Sequence, residues 1–375
     1  MTLRSTYSDT SGLLYRLRAA SALLGVTDNT TKKYVDESGI RVRRANEDDA
    51  KALAVRIFDP QTLFMMAQWR RSKHYVKTPQ NGQFVVAVHI VKGGTGKTTT
   101  AAEIALHLQL AGLKVLAIDL DVQSNLTQYM GYEADLELSD AESFNLSPDA
   151  VVGKTFAHVV CPYVGRASEE SFGELIKKPF GEYGPHLIPS DANLGDMEYA
   201  VSASKGAREL LLKKLLADAS QGKVPGLDTS SYDVIVMDCP PNVSMTSTMA
   251  LAAADIVVAP VRLDAFGVKG LGRLISEINN IGATYSTASP ELVILATHFA
   301  PQLSRIQRMH QALQAYQKNL APISISVSED FPKSLEHYIP LSLQKPLSHA
   351  SREYKEFTDY LIKRLILIEE KRAKS

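Results

Sequence analysis

The chain has 375 residues, 45% of them hydrophobic and 22% charged, with 41 Lys+Arg balanced by 41 Asp+Glu. That length suits two domains better than one, and the composition is that of a globular protein rather than a disordered or collagen-like one. Two cysteines exclude a disulfide framework or a zinc cage, no apolar run reaches the length of a membrane helix, and the N-terminus lacks the apolar stretch of a signal peptide, so a cytoplasmic protein is expected.

The charge is unevenly spread. Residues 1–78 hold 14 Lys+Arg against 8 Asp+Glu, about +6, and the remainder carries −6. A basic first part on a neutral chain points to an anionic partner, or to a solvated basic surface. Residues 1–13 are polar and read as loose. The stretch "YRLRAASALLGVTDNTTKKYVDESGI" (15–40) divides at Gly25. Ala19, Ala20, Leu23 and Leu24 give a first helix its apolar face, and Thr27 or Asp28 caps a second that ends near Gly39. Two helices across a glycine turn make a helix–turn–helix. The second helix offers Asn29, Thr30, Lys32 and Lys33 for bases or phosphates. "IRVRRANEDDAKALAVRIFDP" follows as two basic strands carrying Arg41, Arg43 and Arg44, suited to a wing on the DNA backbone. Pro60 then opens another helix, to about residue 73. The alternative is a small helical domain that binds protein. "KTPQNGQ" (77–83) reads as a linker. The predicted boundaries are 1–78 for a winged helix–turn–helix domain and 79–375 for a second domain.

From Phe84 the pattern changes. "FVVAVHIV", "KVLAIDL", "HLIPS", "YDVIVMDCP", "DIVVAPV" and "ELVILATHF" are short, apolar and β-branched, as buried parallel strands are. Helical periodicity lies between several of them, at 99–111 and 268–281. The predicted class is α/β, a mostly parallel sheet with helices on both faces. Residues 131–183 are irregular and give no functional reading.

The first strand runs into "KGGTGKTT". Gly93, Gly94 and Gly96 free backbone N–H groups to turn around phosphate oxygens, Thr95 and Thr99 lie within the turn and at its exit, and the following helix aims its positive end at the same anion. Lys97 would neutralise the β- and γ-phosphates, and the Thr98 hydroxyl would ligate Mg²⁺. Lys92 stands five residues earlier, where the chain is still leaving the strand. Asp119 and Asp121, two apart at the next strand's end, share a face, and Asp238 ends the strand "YDVIVMDCP".

"KGGTGKT", "D-L-D-V-Q" and "D-C-P-P" resemble, in order and placement, the signatures of the ParA/MinD family of P-loop ATPases with a deviant Walker A motif. The resemblance covers the chain from about Phe84 to the last helix, with Val122 where the family has proline. It implies an ATPase using ATP/ADP and Mg²⁺, with Lys92, Lys97 and Asp121 catalytic. Lys92 would reach the nucleotide of the second protomer in an ATP-closed homodimer, and Asp121 would orient the attacking water. Thr98, Asp119 and Asp238 would serve the metal. The first domain is similar to the winged helix of MerR-type regulators and of larger plasmid ParA proteins. The implied function is DNA partition: ATP-state dimers bind DNA without sequence preference through Arg305, Arg308 and Arg352, with Lys333 and Lys355 as further candidates. A centromere-binding ParB-like partner stimulates slow hydrolysis, and the N-terminal domain represses its own operon. Nucleoid association would follow. The alternatives are a nucleotide-sensing transcription regulator and a MinD-like ATPase positioning another cargo. The tail "YLIKRLILIEEKRAKS" would then be a membrane anchor, against the preferred reading of a face packed on the core and no membrane partner.

Overall fold

The computed structural model of the protein describes residues 3–45, 55–168, 170–263, 267–285, 289–300, 307 and 311–374. Arg305 and Arg308 lie outside the described residues.

Two short helices open the chain, α1 (Leu17–Leu24) and α2 (Asp28–Ser38). Gly25 ends α1 with φ 66°, in the left-handed region. The Thr27 side chain accepts from the Thr30 backbone N–H and so caps α2. An antiparallel pair follows, β1 (Arg43–Ala45) with β2 (Val55–Ile57). The helix α3 (Pro60–Ser72) then starts on an Asp59 cap with proline in its first turn. Helix, turn, helix, ribbon and helix thus come in the expected order.

The second part is built on seven strands: β3 (Phe84–Val88), β4 (Val115–Asp119), β5 (His186–Ile188), β6 (Val234–Asp238), β7 (Ile256–Arg262), β8 (Glu291–Phe299) and β9 (Leu320–Ser326). They form one sheet in the order β5-β4-β6-β3-β7-β8-β9, and every pairing is parallel. β3, β4 and β6 are buried along their whole length, which is why they read as unbroken apolar runs. The helices are α4 (Lys97–Leu110), α5 (Asn125–Tyr129), α6 (Ala157–Tyr163), α7 (Leu194–Ser202), α8 (Leu211–Ala219), α9 (Met245–Ala253), α10 (Gly267–Tyr285), α11 (Asp330–Glu336), α12 (Leu341–Gln344) and α13 (His349–Arg372). Alternate residues of β3 feed two separate cores. Phe84, Val86 and Val88 join one with α4 and α13, while Val85 and Ala87 join another with α7, α8 and α9.

Two expectations change. The stretch 77–83 is strapped down rather than a free linker. Arg71 binds Thr78 Oγ1 at 3.1 Å and the Pro79 carbonyl at 2.9 Å, and Glu369 accepts from the backbone N–H of Gln80 and Asn81. The N-terminal residues are held too: Arg4 pairs through its backbone with residues 145–147, Tyr7 N–H donates to the Gly131 carbonyl at 2.8 Å, and Thr6 and Ser8 are buried. The first and second parts also share one apolar core, since Leu23, Phe58, Phe64 and Met66 cluster with Ala101, Leu108, Phe357 and Leu361. In the tail helix Leu361, Ile362 and Leu365 are buried in that core, as the preferred packing reading expected. Among the described residues no helix is long and apolar enough to cross a membrane.

Candidate functional site

The site lies at the C-terminal ends of β3, β4 and β6, where open α/β sheets bind ligands. Between β3 and α4 the chain turns through Gly94 at φ 67° and Gly96 at φ 86°, a region that side chains rarely enter. A Cβ placed on Gly93, Gly94 or Gly96 would meet no atom within 4 Å, so the loop encloses open space. Thr95 is buried, and its carbonyl accepts from Thr297 Oγ1 at 2.9 Å, which pins the loop to β8. Lys97 opens α4 and folds back: its Nζ donates to the Lys92 carbonyl at 2.8 Å. Burial pushes the Lys97 pKa down, and Asp238 and Asp121 push it back up. Thr98 and Thr99 are half-buried at the start of α4.

The carboxylates meet because the strands are in register. Asp119 on β4 is the direct partner of Asp238 on β6, which is the partner of Val88 on β3. The two acids behave differently. Asp119 has both oxygens occupied, Oδ1 by the Asp121 N–H at 3.1 Å and Oδ2 by the N–H and hydroxyl of Thr127, each at 2.8 Å. Its pKa is pushed up to about 7, chiefly by burial. Asp119 therefore anchors the turn into α5. Asp238 is buried with neither oxygen in a hydrogen bond. Burial raises its pKa well above the carboxylate range, and Asp119 adds to the rise. The Thr98 hydroxyl beside it acts in the other direction without meeting hydrogen-bond geometry. Asp121 lies near both, 7% exposed, its Oδ1 accepting from the Gln123 N–H at 3.1 Å.

A buried carboxylate with no partner is costly. Next to a threonine hydroxyl and below an open glycine turn, it fits a divalent cation held by few protein ligands together with phosphate oxygens, as Mg²⁺ is held. Among the described residues no group of three His, Cys, Asp or Glu forms a metal cage.

Three residues of the site carry no sequence signal of their own. Thr127 binds Asp119 and also accepts from the Ser190 N–H, and Ser190 Oγ donates to the Asp121 carbonyl at 2.6 Å. Glu198 on α7 accepts from Met245 N–H at 2.8 Å, which ties the loop after Asp238 to α7. A cavity of about 370 Å³ opens beside the turn, lined by Gly94, Thr99, His298, Phe331, Pro332 and Tyr354 among others. This is a size that small-molecule sites use.

In the first part, Asn29 and Lys32 are exposed on α2, and Arg41, Arg43 and Arg44 are exposed at β1. Two of the expected DNA-binding side chains are engaged locally. The Thr30 hydroxyl lies 2.9 Å from that of Thr27, and Lys33 pairs with Glu37 at 3.6 Å. Arg352 is exposed in the first turn of α13.

A parallel sheet with a glycine cradle, a loop lysine and strand-end carboxylates defines a P-loop nucleotide-binding protein. Residues 83–292 match the AAA domain family model, and the chain belongs to that family. Among relatives, the sporulation initiation inhibitor protein Soj of Bacillus subtilis is 26% identical over 275 residues, 72% of this chain and 94% of its own. A putative replication protein A of Sinorhizobium fredii is 26% identical over 72% of this chain, which spans only 64% of that relative's length. An ATP complex of McdA from Cyanothece superposes with a TM-score of 0.59 at 21% identity, covering 75% of this chain and 96% of that one.

Proposed function

We propose that the protein is a DNA-partitioning ATPase that binds ATP with Mg²⁺, dimerises on ATP and hydrolyses it slowly until a partner protein stimulates it. The observation that carries the reading is the buried, unpartnered Asp238 carboxylate beside Thr98 and Lys97 at the foot of the glycine turn. Among solved neighbours, one holds ADP and magnesium and another is an ATP complex, and the residues here suit the same ligands. Bound Mg²⁺ would neutralise charge on the β- and γ-phosphates. Asp238 and Thr98 would hold it. Lys97 would exchange the Lys92 carbonyl for phosphate oxygens, and Gly93–Thr99 would supply backbone N–H groups. The base and ribose would take the cavity lined by Phe331 and Pro332. Asp121 would accept a proton from, or orient, the attacking water. Lys92, at the rim of the site, would act on the second protomer's γ-phosphate, as an arginine finger does.

The N-terminal part supports DNA as a partner. Its second helix begins with exposed Asn29 and Lys32, and its ribbon carries exposed Arg43 and Arg44. We assign it operator binding, and Arg352 on the ATPase part non-specific binding in the ATP state. A centromere-binding protein is the expected stimulator. The test is duplex binding, specific and random, with ATP, ADP and no nucleotide, alongside turnover of Asp121→Ala. Opposite duplex preferences in the ATP and ADP states, and turnover lost with ATP binding kept, are expected. Identical binding in all states would overturn the scheme.

A further inference from the structure

The helix that leaves the phosphate loop is gripped along its whole length by groups from elsewhere in the chain. At its first turns α4 carries Lys97 and Thr98, and Thr100 Oγ1 lies 3.0 Å from Tyr354 Oη on α13. In its middle the Glu103 carboxylate, fully buried, accepts from the N–H and hydroxyl of Ser342 on α12 at 3.2 and 2.5 Å. One turn on, His107 Nε2 lies 2.9 Å from the same hydroxyl. At its end the Leu110 carbonyl accepts from Arg70.

Arg70 belongs to α3, in the N-terminal part, and is 5% exposed. Its other terminal nitrogen donates to the Leu24 carbonyl, the last residue of α1. A single planar guanidinium therefore joins the C-terminal ends of two helices, one from the phosphate loop and one from the helix–turn–helix. Helix ends leave carbonyls without intrahelical partners, so both acceptors need this donor. Burial pushes the Arg70 pKa down to about 10, which still leaves it charged.

A second route meets the same helix. Tyr15 Oη donates to the Leu343 carbonyl at 2.8 Å, one residue from Ser342, and Tyr15 is tied through its backbone to Phe58. Tyr129, at the end of α5 beyond Asp119 and Asp121, accepts from Leu341 N–H at 2.8 Å and lies 2.9 Å from Ser334 Oγ on α11. The four-residue α12 thus touches the phosphate-loop helix, the segment after the strand-end acids, and the N-terminal part. Over Gly25, between α1 and α2, the Lys355 side chain packs so closely that a Cβ there would lie 1.9 Å from Lys355 Cε.

We propose that α4 and α12 form a mechanical link that carries the state of the phosphate loop to the N-terminal helices, with Arg70 as its clasp. The inference rests on the nucleotide reading above. The change would begin at Lys97, whose Nζ now donates to the Lys92 carbonyl and would turn toward phosphate oxygens. A packed interior transmits such a shift instead of absorbing it. Arg70 cannot follow both helices if α4 moves against α1, so the helix–turn–helix moves with α4 or the clasp opens.

The chain carries its own reporter. Trp69 is the only tryptophan, next to Arg70, with its ring 5.5 Å from Tyr34 on α2 and 5.7 Å from Tyr75. Trp69 emission is recorded on the full chain while ADP·Mg²⁺ or ATP·Mg²⁺ is added, and nucleotide affinity is measured separately by calorimetry. The expected result is a change in emission that saturates at the calorimetric Kd. Arg70→Met keeps that Kd within about twofold and loses roughly half or more of the emission change, as expected for coupled sites. Tyr15→Phe, a milder change, loses part of it. Nucleotide binding with silent Trp69 in the unsubstituted chain overturns the link. So does a full response in both variants. Absence of calorimetric binding brings down the nucleotide reading itself, and the link with it.

Discussion

Lys97 Nζ is bound to the backbone carbonyl of Lys92 at 2.8 Å, so the two lysines of the loop meet through one side chain and one main chain. That bond separates their roles. Substituting Lys92 by alanine keeps the carbonyl and hence the seat of Lys97. Lys92→Ala is expected to bind ATP within about threefold of the unsubstituted chain, and to lose ATP-dependent dimerisation and turnover. Lys97→Ala removes the cation from the cradle and loses nucleotide binding. Calorimetry with light scattering on both variants checks this. Equal loss of nucleotide affinity in the two would show that Lys92 serves its own loop.

Asp238 makes the opposite kind of prediction. Its carboxylate is buried, lacks hydrogen bonds and faces Asp119 across the register of two strands. Neutralising it relieves the ligand-free protein. Asp238→Asn is expected to raise the ligand-free stability by about 1–2 kcal/mol, and to abolish the extra stabilisation that Mg²⁺ adds to nucleotide binding. Thermal melts with nucleotide, with and without Mg²⁺, read both effects. A destabilised ligand-free variant would mean that the carboxylate has a structural partner.

The sheet and the loop are legible in the sequence because their signals are local. Buried parallel strands read as apolar runs, and glycines flanking Lys97 mark a cradle whatever surrounds them. Lys92, Asp121 and Asp238 stand out by motif order on the right elements. Thr127, Ser190 and Glu198 do not, since each acts by hydrogen bonds to residues 8 to 69 positions away. Residues 77–83 carry a linker's composition, yet Arg71 and Glu369 hold them. The buried Arg70 looks like one more cation in a basic segment, because nothing in "WRRSK" distinguishes an arginine that closes two helix ends from one in water.

Glu103 gives a pH signature. Its pKa is pushed from the ordinary 4.5 up to about 7 by burial, with the Ser342 and Leu341 bonds opposing. Between those values the unfolded chain is ionised while the folded protein keeps its proton, so stability falls as pH rises, by about 1.4 kcal/mol per unit. His107 beside it has its pKa pushed from 6.5 down to about 3 by burial, so it is neutral when folded while the unfolded chain takes up a proton below 6.5; that slope runs the opposite way and is common to both proteins compared. Asp119 behaves like Glu103 but is common to both proteins compared. Glu103→Gln, which can still bond Ser342, is expected to lose less stability than the unsubstituted chain from about pH 5 to 7. Parallel pH curves for the two would mean that Glu103 is ionised when folded.

The basic first part makes a salt-dependent prediction. Lys32 and Arg44 are exposed on α2 and β1. Each DNA phosphate that the protein no longer neutralises lowers the slope of log affinity against log salt by about 1. Lys32→Ala and Arg44→Ala are each expected to do so for operator duplex, leaving ATP-state binding to random duplex unchanged. Arg352→Ala should show the reverse. Loss of both binding modes in one variant would place a single DNA surface on the protein.

Removal of residues 1–78 tests how separable the first part is. Leu23, Phe58, Phe64 and Met66 lie in the same apolar cluster as Leu108, Phe357 and Leu361. Arg71 also binds Asp233 through both terminal nitrogens, at 2.6 and 3.0 Å, and Gly112 lies so close to α3 that a Cβ on it would be 2.5 Å from the Ala67 carbonyl oxygen. Truncation uncovers apolar surface on α4 and α13 and leaves the Leu110 carbonyl without its donor. Each fully buried large side chain uncovered costs about 1.5–3 kcal/mol. The 79–375 fragment is therefore expected to melt well below the full chain or to aggregate, even though it retains every strand of the parallel sheet. Equal melting temperatures for fragment and full chain would show that the shared core contributes little, and that the N-terminal part is an independent module resting on the surface.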